Sequence, residues 1–300
     1  MVRKTSANTR YFIVWILLGV LLTAPAWAQS KYFSFSPQQS MGDSKARLAY
    51  KNLPSPSSTL HFEPLTLRGG TELTVISPKE WTPLTEIVTR SLRKMHLFFS
   101  ELFGPIPSFS TTLQLMDEET FFKKTGAPRW TNAMYYKKKI LIPLTIESEG
   151  IDVVNLLRSI RHEYTHAITA ALSKGKCPGW LDEGLAQWAE GVENPALEPA
   201  LRNWLKIRKP ISLASLKGGF TKLTPAMVPP AYAESLFAAN TVIDLYGFSP
   251  VRVYMNRLRR GSSSSAAFKA AFNVSEGQFE KRLDSSLKHW ARQGRSEAEE

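Results

Sequence analysis

The feature that most constrains the fold of this chain is one amphipathic stretch, residues 151–172. Its apolar positions advance in steps of three and four, the spacing of an α-helix with one buried face. His162 and His166 lie one turn apart on this helix, so both imidazoles can reach one metal ion. Glu163 is turned about 100° around the axis and can meet a water on that ion. The H-E-x-x-H spacing is typical of sites where a metal acidifies water and the glutamate accepts its proton.

A third metal ligand is available on a second predicted helix, residues 180–188, which follows a Pro-Gly pair. Glu183 projects from its first turn, and a tight turn between the helices would place this carboxylate near the imidazoles. Two histidines and one carboxylate make a catalytic zinc site with one position open for water. Asp182 and Glu190 are competing carboxylates, and Asp182 is interpreted as a helix-start residue or a support for a ligand. The alternative is an ordinary amphipathic helix with two polar histidines.

The rest of the pattern predicts a sheet beside this helix. A hairpin is expected around Gly69 and Gly70, because short apolar runs flank them. Helical spacing follows until a Gly-Pro pair ends it. We therefore expect an α+β fold: a small antiparallel sheet whose edge strand lies over the zinc helix, then a helical C-terminal part. The predicted helix covers residues 81–103, and the further strands cover 112–116, 133–136 and 140–144.

The N-terminal 28 residues have the pattern of a secretory signal peptide. A basic start and an uncharged apolar stretch lead to a small-x-small site, with cleavage expected after Ala28. Residues 29–59 are rich in Ser and Pro and are interpreted as a flexible lead-in. Residues 293–300 are interpreted as a solvated tail. We expect an exported protein, periplasmic or secreted, and a retained membrane anchor is the less favoured alternative.

Composition excludes several classes of protein. The chain is 43% hydrophobic and 21% charged, as in an ordinary globular protein. The single cysteine, Cys177, excludes a disulfide scaffold. The formal charge is +12, but the longest basic run, residues 137–139, is typical of a solvated turn or a strand edge. We expect no nucleic-acid partner, whereas the charge is compatible with association with the anionic cell envelope.

The two motifs together, H-E-Y-T-H and P-G-W-L-D-E-G-L-A-Q-W, resemble those of the gluzincin metallopeptidases, specifically the peptidase MA-like domain of exported bacterial proteins. They are also similar to motifs of the aminopeptidase N group, where the second glutamate is the third zinc ligand. The resemblance covers residues 60–287, within an expected domain of residues 60–292, and implies a thermolysin-like zincin core. It implies one Zn²⁺ per chain held by His162, His166 and Glu183, with Glu163 as general base.

The resemblance bears on two tyrosines. Tyr135 stands where aminopeptidases have the glutamate that binds the free amino terminus, and a neutral phenol cannot hold an ammonium group in this way. Tyr232 follows a proline in an element similar to the one whose tyrosine hydrogen-bonds the oxyanion. The alternative for Tyr232 is a packing role under Trp188 or Phe237. Tyr135, Tyr136 and Tyr164 would then be the tyrosines to consider.

These observations lead to an expected function. The protein is expected to be a zinc metallopeptidase acting on peptide or protein substrates, an endopeptidase rather than an aminopeptidase. The alternative is a non-catalytic envelope protein whose zincin fold binds a partner peptide. Glu163 argues against that alternative, because a structural site needs ligands but no water-activating base.

Overall fold

The computed structural model describes residues 54–129, 131–145, 150–191, 194–220 and 223–296. The expected signal peptide, its cleavage site and residues 29–53 of the lead-in therefore lie outside the described residues. Residues 54–59, also assigned to the lead-in, are tied to the fold. The indole of Trp81 donates to the carbonyl of Pro54 over 3.2 Å, and the amide of Lys79 donates to the carbonyl of Thr59 over 2.9 Å.

The described part of the chain contains one five-stranded mixed sheet, with strand order β1-β2-β3-β5-β4. Each edge of the sheet is an antiparallel hairpin, formed by β1 with β2 and by β4 with β5. The expected hairpin around the glycine pair is therefore confirmed. The strands are β1 (Leu60–Leu67), β2 (Thr71–Pro78), β3 (Ser110–Asp117), β4 (Met134–Tyr136) and β5 (Lys139–Leu144).

The expectation of a wholly antiparallel sheet is wrong, although the α+β class is confirmed. Strand β3 runs parallel to both β2 and β5. The reason is the connection between β2 and β3, which contains the long helix α1 (Thr82–Phe103). A helical crossover returns the chain to the end of the sheet where the previous strand began, so the next strand is parallel. Between β3 and β4, helix α2 (Glu118–Thr125) covers the opposite face of the sheet.

A helical part follows the sheet, as expected. None of the helices in the described ranges is both long and apolar enough to cross a bilayer. The last helix extends to Ser296, so the predicted tail begins within a helix. These helices are α3 (Val153–Ser173), α4 (Gly179–Glu190), α5 (Leu197–Ile207), α6 (Val228–Tyr246), α7 (Phe248–Arg259), α8 (Ser264–Phe272) and α9 (Glu276–Ser296).

The main core lies between the inner face of the sheet and helices α1, α3, α4 and α6. Alternate residues of the strands point into it, such as Val75, Leu113 and Ile140, each fully buried. Helix α3 contributes a stripe at helical spacing that includes Ile160 and Ile168, also fully buried. This packing places α3 beside β5 and β4. Its polar side, with His162 and His166, faces Glu183 of α4.

Candidate metal centre

Helix α3 presents two imidazoles on one side. Asp152 caps its first turn by accepting hydrogen bonds from the amides of Val154 and Asn155, at 3.0 and 3.1 Å. Ten residues into the helix, His162 and His166 stand one turn apart, with ring centroids 4.9 Å apart and ring planes at 78°. The helix therefore places both rings as the sequence predicts.

Helix α4 brings Glu183 to the same place. The Oε2 atom of Glu183 lies 3.5 Å from Nε2 of His162 and 3.9 Å from Nε2 of His166. That oxygen is buried and has no hydrogen-bond partner in the described part of the chain. A buried carboxylate oxygen without a donor is costly unless a cation or a proton satisfies it.

The donor set fits a zinc ion. One donor atom from each of His162, His166 and Glu183 lies within 4.8 Å of the others. Tetrahedral zinc with N and O ligands at about 2.0–2.1 Å places neighbouring ligand atoms about 3.4 Å apart. The distance from Glu183 to His162, 3.5 Å, is close to this value, and the distance to His166, 3.9 Å, is longer. Within the described ranges, no other group of histidine, cysteine and carboxylate side chains meets this criterion.

The other nitrogen of each imidazole faces a carboxylate. Nδ1 of His162 is 2.8 Å from Oε1 of Glu190, and Nδ1 of His166 is 3.0 Å from Oδ2 of Asp182, although this second contact lacks the alignment of a full hydrogen bond. Asp182 and Glu190 therefore lie behind the imidazoles and not beside Glu183. A protonated Nδ1 leaves the Nε2 lone pair free for a metal.

Glu163 and Tyr232 stand next to this donor set. Glu163 is 7% exposed, and its carboxylate feels the charges of both imidazoles and of Glu183. The backbone N–H of Tyr135 also acts on it, so the edge strand β4 reaches the site. The phenol of Tyr232, in the first turns of α6, feels the charges of Glu183 and Glu163. Its ring packs edge to face on Phe220, with centroids 4.8 Å apart.

A family model decides what this arrangement belongs to. The model of the peptidase MA superfamily matches residues 109–289, which is more than half of the chain. This chain belongs to the peptidase MA superfamily. The match begins at β3 and includes both motif helices and most of α9. The recognition of this family from the sequence is thus confirmed.

Several solved structures of zinc peptidases are similar to this chain, with low sequence identity. An M1 zinc metallopeptidase from Deinococcus radiodurans is 15% identical with a TM-score of 0.43, over 77% of this chain and 52% of that one. Aminopeptidase A of Legionella pneumophila, in complex with aspartic acid, is 14% identical with a TM-score of 0.44, over 77% of this chain and 28% of that one. The present chain thus spans about half the length of the first of them. No curated protein matches it.

Charge in this peptidase MA site favours a cation. Burial alone would lower the pKa of His166, but the carboxylates of Asp182 and Glu183 outweigh burial and raise it to about 9. Burial would likewise lower the pKa of His162, which Glu183 and Glu190 instead raise well above its ordinary value. Both imidazoles thus lie in a negative environment that stabilises positive charge between them.

The two residues beside the donor set have pKa values that suit different tasks. Burial raises the pKa of Glu163; the two imidazoles oppose this rise, and repulsion from Glu183 adds to it. A carboxylate with a raised pKa holds a proton better at neutral pH than an ordinary glutamate. Burial, followed by repulsion from Glu183 and Glu163, raises the pKa of Tyr232, so its phenol stays a hydrogen-bond donor.

The other tyrosines occupy different surroundings. Tyr164 is buried and its hydroxyl is 2.8 Å from Nδ1 of His96, which ties α3 to α1. Tyr136 is 57% exposed. Tyr135 is half-buried, and burial together with the charge of Asp182 raises its pKa. Tyr232 is therefore the tyrosine that feels both Glu163 and Glu183.

Sequence reasoning missed three polar residues that support the site. Arg161 is 7% exposed and donates two hydrogen bonds to the carbonyl of Glu190, at 3.0 and 2.7 Å, at the end of α4. Arg158 donates to the carboxylate of Glu190. Gln187 donates to the carbonyl of Tyr232 over 2.9 Å. A signal exists for Arg161, which follows the buried Ile160 on the apolar side of α3.

Proposed function

We propose that this protein is an exported zinc-dependent metallopeptidase that cleaves bonds within peptide chains, in the periplasm or outside the cell. The observation that carries the proposal is the meeting of three metal donors with Glu163 and Tyr232 beside them. Ligands alone would serve a structural site, whereas hydrolysis also requires a base and a donor to the oxyanion, which a buried carboxylate and a phenol near the ligands can supply. Export rests on the N-terminal 28 residues.

His162, His166 and Glu183 would hold one zinc ion per chain. A bound zinc ion supplies a Lewis acid that polarises the peptide carbonyl and lowers the pKa of water. Glu163 accepts the proton of the attacking water and then donates it to the nitrogen of the leaving amine. Its buried position supports both steps, because the raised pKa lets the carboxyl group hold the proton between them.

Tyr232 would stabilise the oxygen of the carbonyl group as negative charge develops on it. A phenol that remains protonated donates one hydrogen bond to that oxygen, and this bond is strongest in the transition state. Within the described ranges, no residue hydrogen-bonds to the Tyr232 hydroxyl. The hydroxyl group is therefore available to a substrate.

The edge strand supports a peptide substrate. Strand β4 pairs with β5 on one side and is the last strand of the sheet in the described residues. An extended peptide can add to such an edge through main-chain hydrogen bonds, and this would lay it across Glu163. Tyr135 offers no carboxylate to a free amino terminus, which supports an endopeptidase. Association with the anionic cell envelope remains part of the proposal for its surroundings.

The test compares the wild type with Glu163→Gln on internally quenched peptides and on denatured envelope protein. Glutamine keeps the shape and leaves the ligands unchanged, so we expect equal zinc content and a kcat lower by about a thousandfold or more. The chelated wild type should also be inactive, and added zinc should restore it. Equal cleavage by the variant would contradict the mechanism, and no cleavage by the wild type would favour the non-catalytic peptide binder.

The same peptides test the phenol. Tyr232→Phe removes only the hydroxyl group, so zinc content and stability should remain those of the wild type. We expect kcat to fall about a hundredfold with little change in KM, as for other donors to an oxyanion. An unchanged kcat in the folded variant would leave Tyr232 a packing partner of Phe220.

A further inference from the structure

One glutamine joins the backbone of the metal ligand to that of the tyrosine. Gln187 lies one turn after Glu183 on α4 and is 8% exposed. Its Nε2 donates to the carbonyl of Glu183 over 3.2 Å and to the carbonyl of Tyr232 over 2.9 Å. A side-chain amide has two N–H donors, so both are committed to these two residues.

Close packing surrounds this hydrogen bond in the contact between α4 and α6. Close to Glu183, the α4–α6 contact consists of small residues: a Cβ on Gly184 would lie 2.2 Å from the carbonyl oxygen of Ser235 and 2.6 Å from Cβ of Ala239. Packing of this kind fixes how near two helices approach, but it has little directional preference. A hydrogen bond to a single carbonyl is directional, so the bond from Gln187 helps to set the position of α6 along α4.

We propose that Gln187 is a positioning residue for catalysis, which holds Tyr232 at the height where its phenol reaches the carbonyl oxygen of a bound peptide. The inference rests on the proposed function, since it assumes that Tyr232 meets the oxyanion. A misplacement of a catalytic group by 1 Å can lower a rate by about a hundredfold. The hydrogen bond from Gln187 is therefore expected to affect kcat more than stability.

The test is a double-mutant cycle on the zinc-loaded full chain. Gln187→Met keeps an unbranched side chain of similar length and removes the donor. With the quenched peptide that the wild type cleaves fastest, we expect kcat to fall about tenfold with KM and zinc content unchanged. In the Tyr232→Phe background the same substitution should change kcat less than twofold, because the phenol that it positions is gone.

A matched control lies in the same contact. Ser235 is fully buried and its hydroxyl has no partner in the described residues, so Ser235→Ala should leave kcat within twofold of the wild type. If the methionine variant does not fold, Gln187→Leu replaces it. A fall in kcat of equal size in both backgrounds would overturn the inference, because Gln187 would then act by another route.

A spectroscopic measurement separates this inference from the proposed function. In protein labelled with 3-fluorotyrosine, the ¹⁹F resonance of Tyr232 is assigned by its loss in Tyr232→Phe. We expect Gln187→Met to shift or broaden this resonance, and Ser235→Ala to leave it unchanged. An unchanged resonance overturns the inference even if Tyr232→Phe lowers kcat. If no variant affects hydrolysis, the proposed role of Tyr232 fails, and the resonance alone decides whether Gln187 positions it.

Discussion

At the scale of single residues, Glu190 is the carboxylate of this site with the most partners among the described contacts. Glu190 accepts from the imidazole of His162 and from Arg158, while Arg161 binds its backbone carbonyl. Burial alone would raise the pKa of Glu190, but hydrogen bonds and charge from His162 and Arg158 lower it below its ordinary value. Glu190 is therefore an anion that fixes the tautomer of His162, and its carboxylate is held by His162 and Arg158.

A third histidine, His96, supports helix α3 from behind and gives a pH-dependent stability. Nε2 of His96 faces the carbonyl of Arg68 at 2.7 Å, and Nδ1 faces the hydroxyl of Tyr164 at 2.8 Å. The carbonyl can only accept, so Nε2 carries the proton and Nδ1 accepts from Tyr164. Burial lowers the pKa of His96 below its ordinary value of 6.5, although the carbonyl of Arg68 opposes this.

The lowered pKa of His96 determines how the stability of the protein changes with pH. Above about pH 6.5 the imidazole is neutral in both states and contributes nothing to the pH dependence. Below it, the unfolded chain takes up a proton that the folded chain refuses, so the free energy of unfolding falls as the pH decreases. Each unit by which the folded pKa is lowered accounts for at most about 1.4 kcal/mol.

The measurement is urea unfolding of metal-free wild type and His96→Gln between pH 8 and pH 5. Glutamine does not titrate, so the wild type should lose more stability than the variant as the pH falls. The charges at the metal site are the same in both proteins and cancel in the difference. A constant difference across this range would show that His96 does not resist protonation.

At the scale of elements, α4 is the part on which the site depends. It contacts α3 on one side and α6 on the other, and it contributes both the third donor and the contact that brings Tyr232 near. Gly184 allows α6 to approach because any side chain at this position would overlap the backbone at Ser235. Gly184 is thus needed because it has no side chain to hold the two helices apart.

Gly184→Ala tests this close approach. The added methyl group forces α4 and α6 apart, and we expect a loss of about 1–3 kcal/mol in stability, together with lower hydrolysis. The matched control is Gly277→Ala in α9, where a Cβ meets nothing within 4 Å, so its stability should rise by about 0.5–1 kcal/mol. Thermal unfolding of both variants gives the answer. Equal stability of Gly184→Ala and the wild type would contradict the close contact.

At the scale of the whole molecule, local patterns predicted the elements better than their arrangement. Helix α3 was predictable because apolar spacing and a polar motif coincide in it, and Pro178 and Gly179 predicted the turn before α4. The direction of β3 was not predictable in this way. It depends on whether β3 pairs with β2 after the chain has passed through α1. Pairing between strands so far apart in the sequence is a property of packing and leaves no short-range signal.

The site shows the same division. The donors His162 and His166 follow from helical periodicity alone. Glu190 lies behind His162, and Gln187 contacts Tyr232. Both contacts depend on the orientation of α4 about its axis between α3 and α6, which no local sequence pattern specifies. Candidate metal ligands were thus easier to propose than the residues that hold those side chains in place.

The central claim is that His162, His166 and Glu183 hold one zinc ion per chain, and its most direct test is the metal content of purified protein. The wild type should contain about one zinc per chain after dialysis against a weak chelator. Glu183→Ala removes a ligand and should lose most of the zinc, whereas Glu190→Ala, which removes only the support of His162, should lose far less. Equal zinc in the wild type and Glu183→Ala would contradict the account.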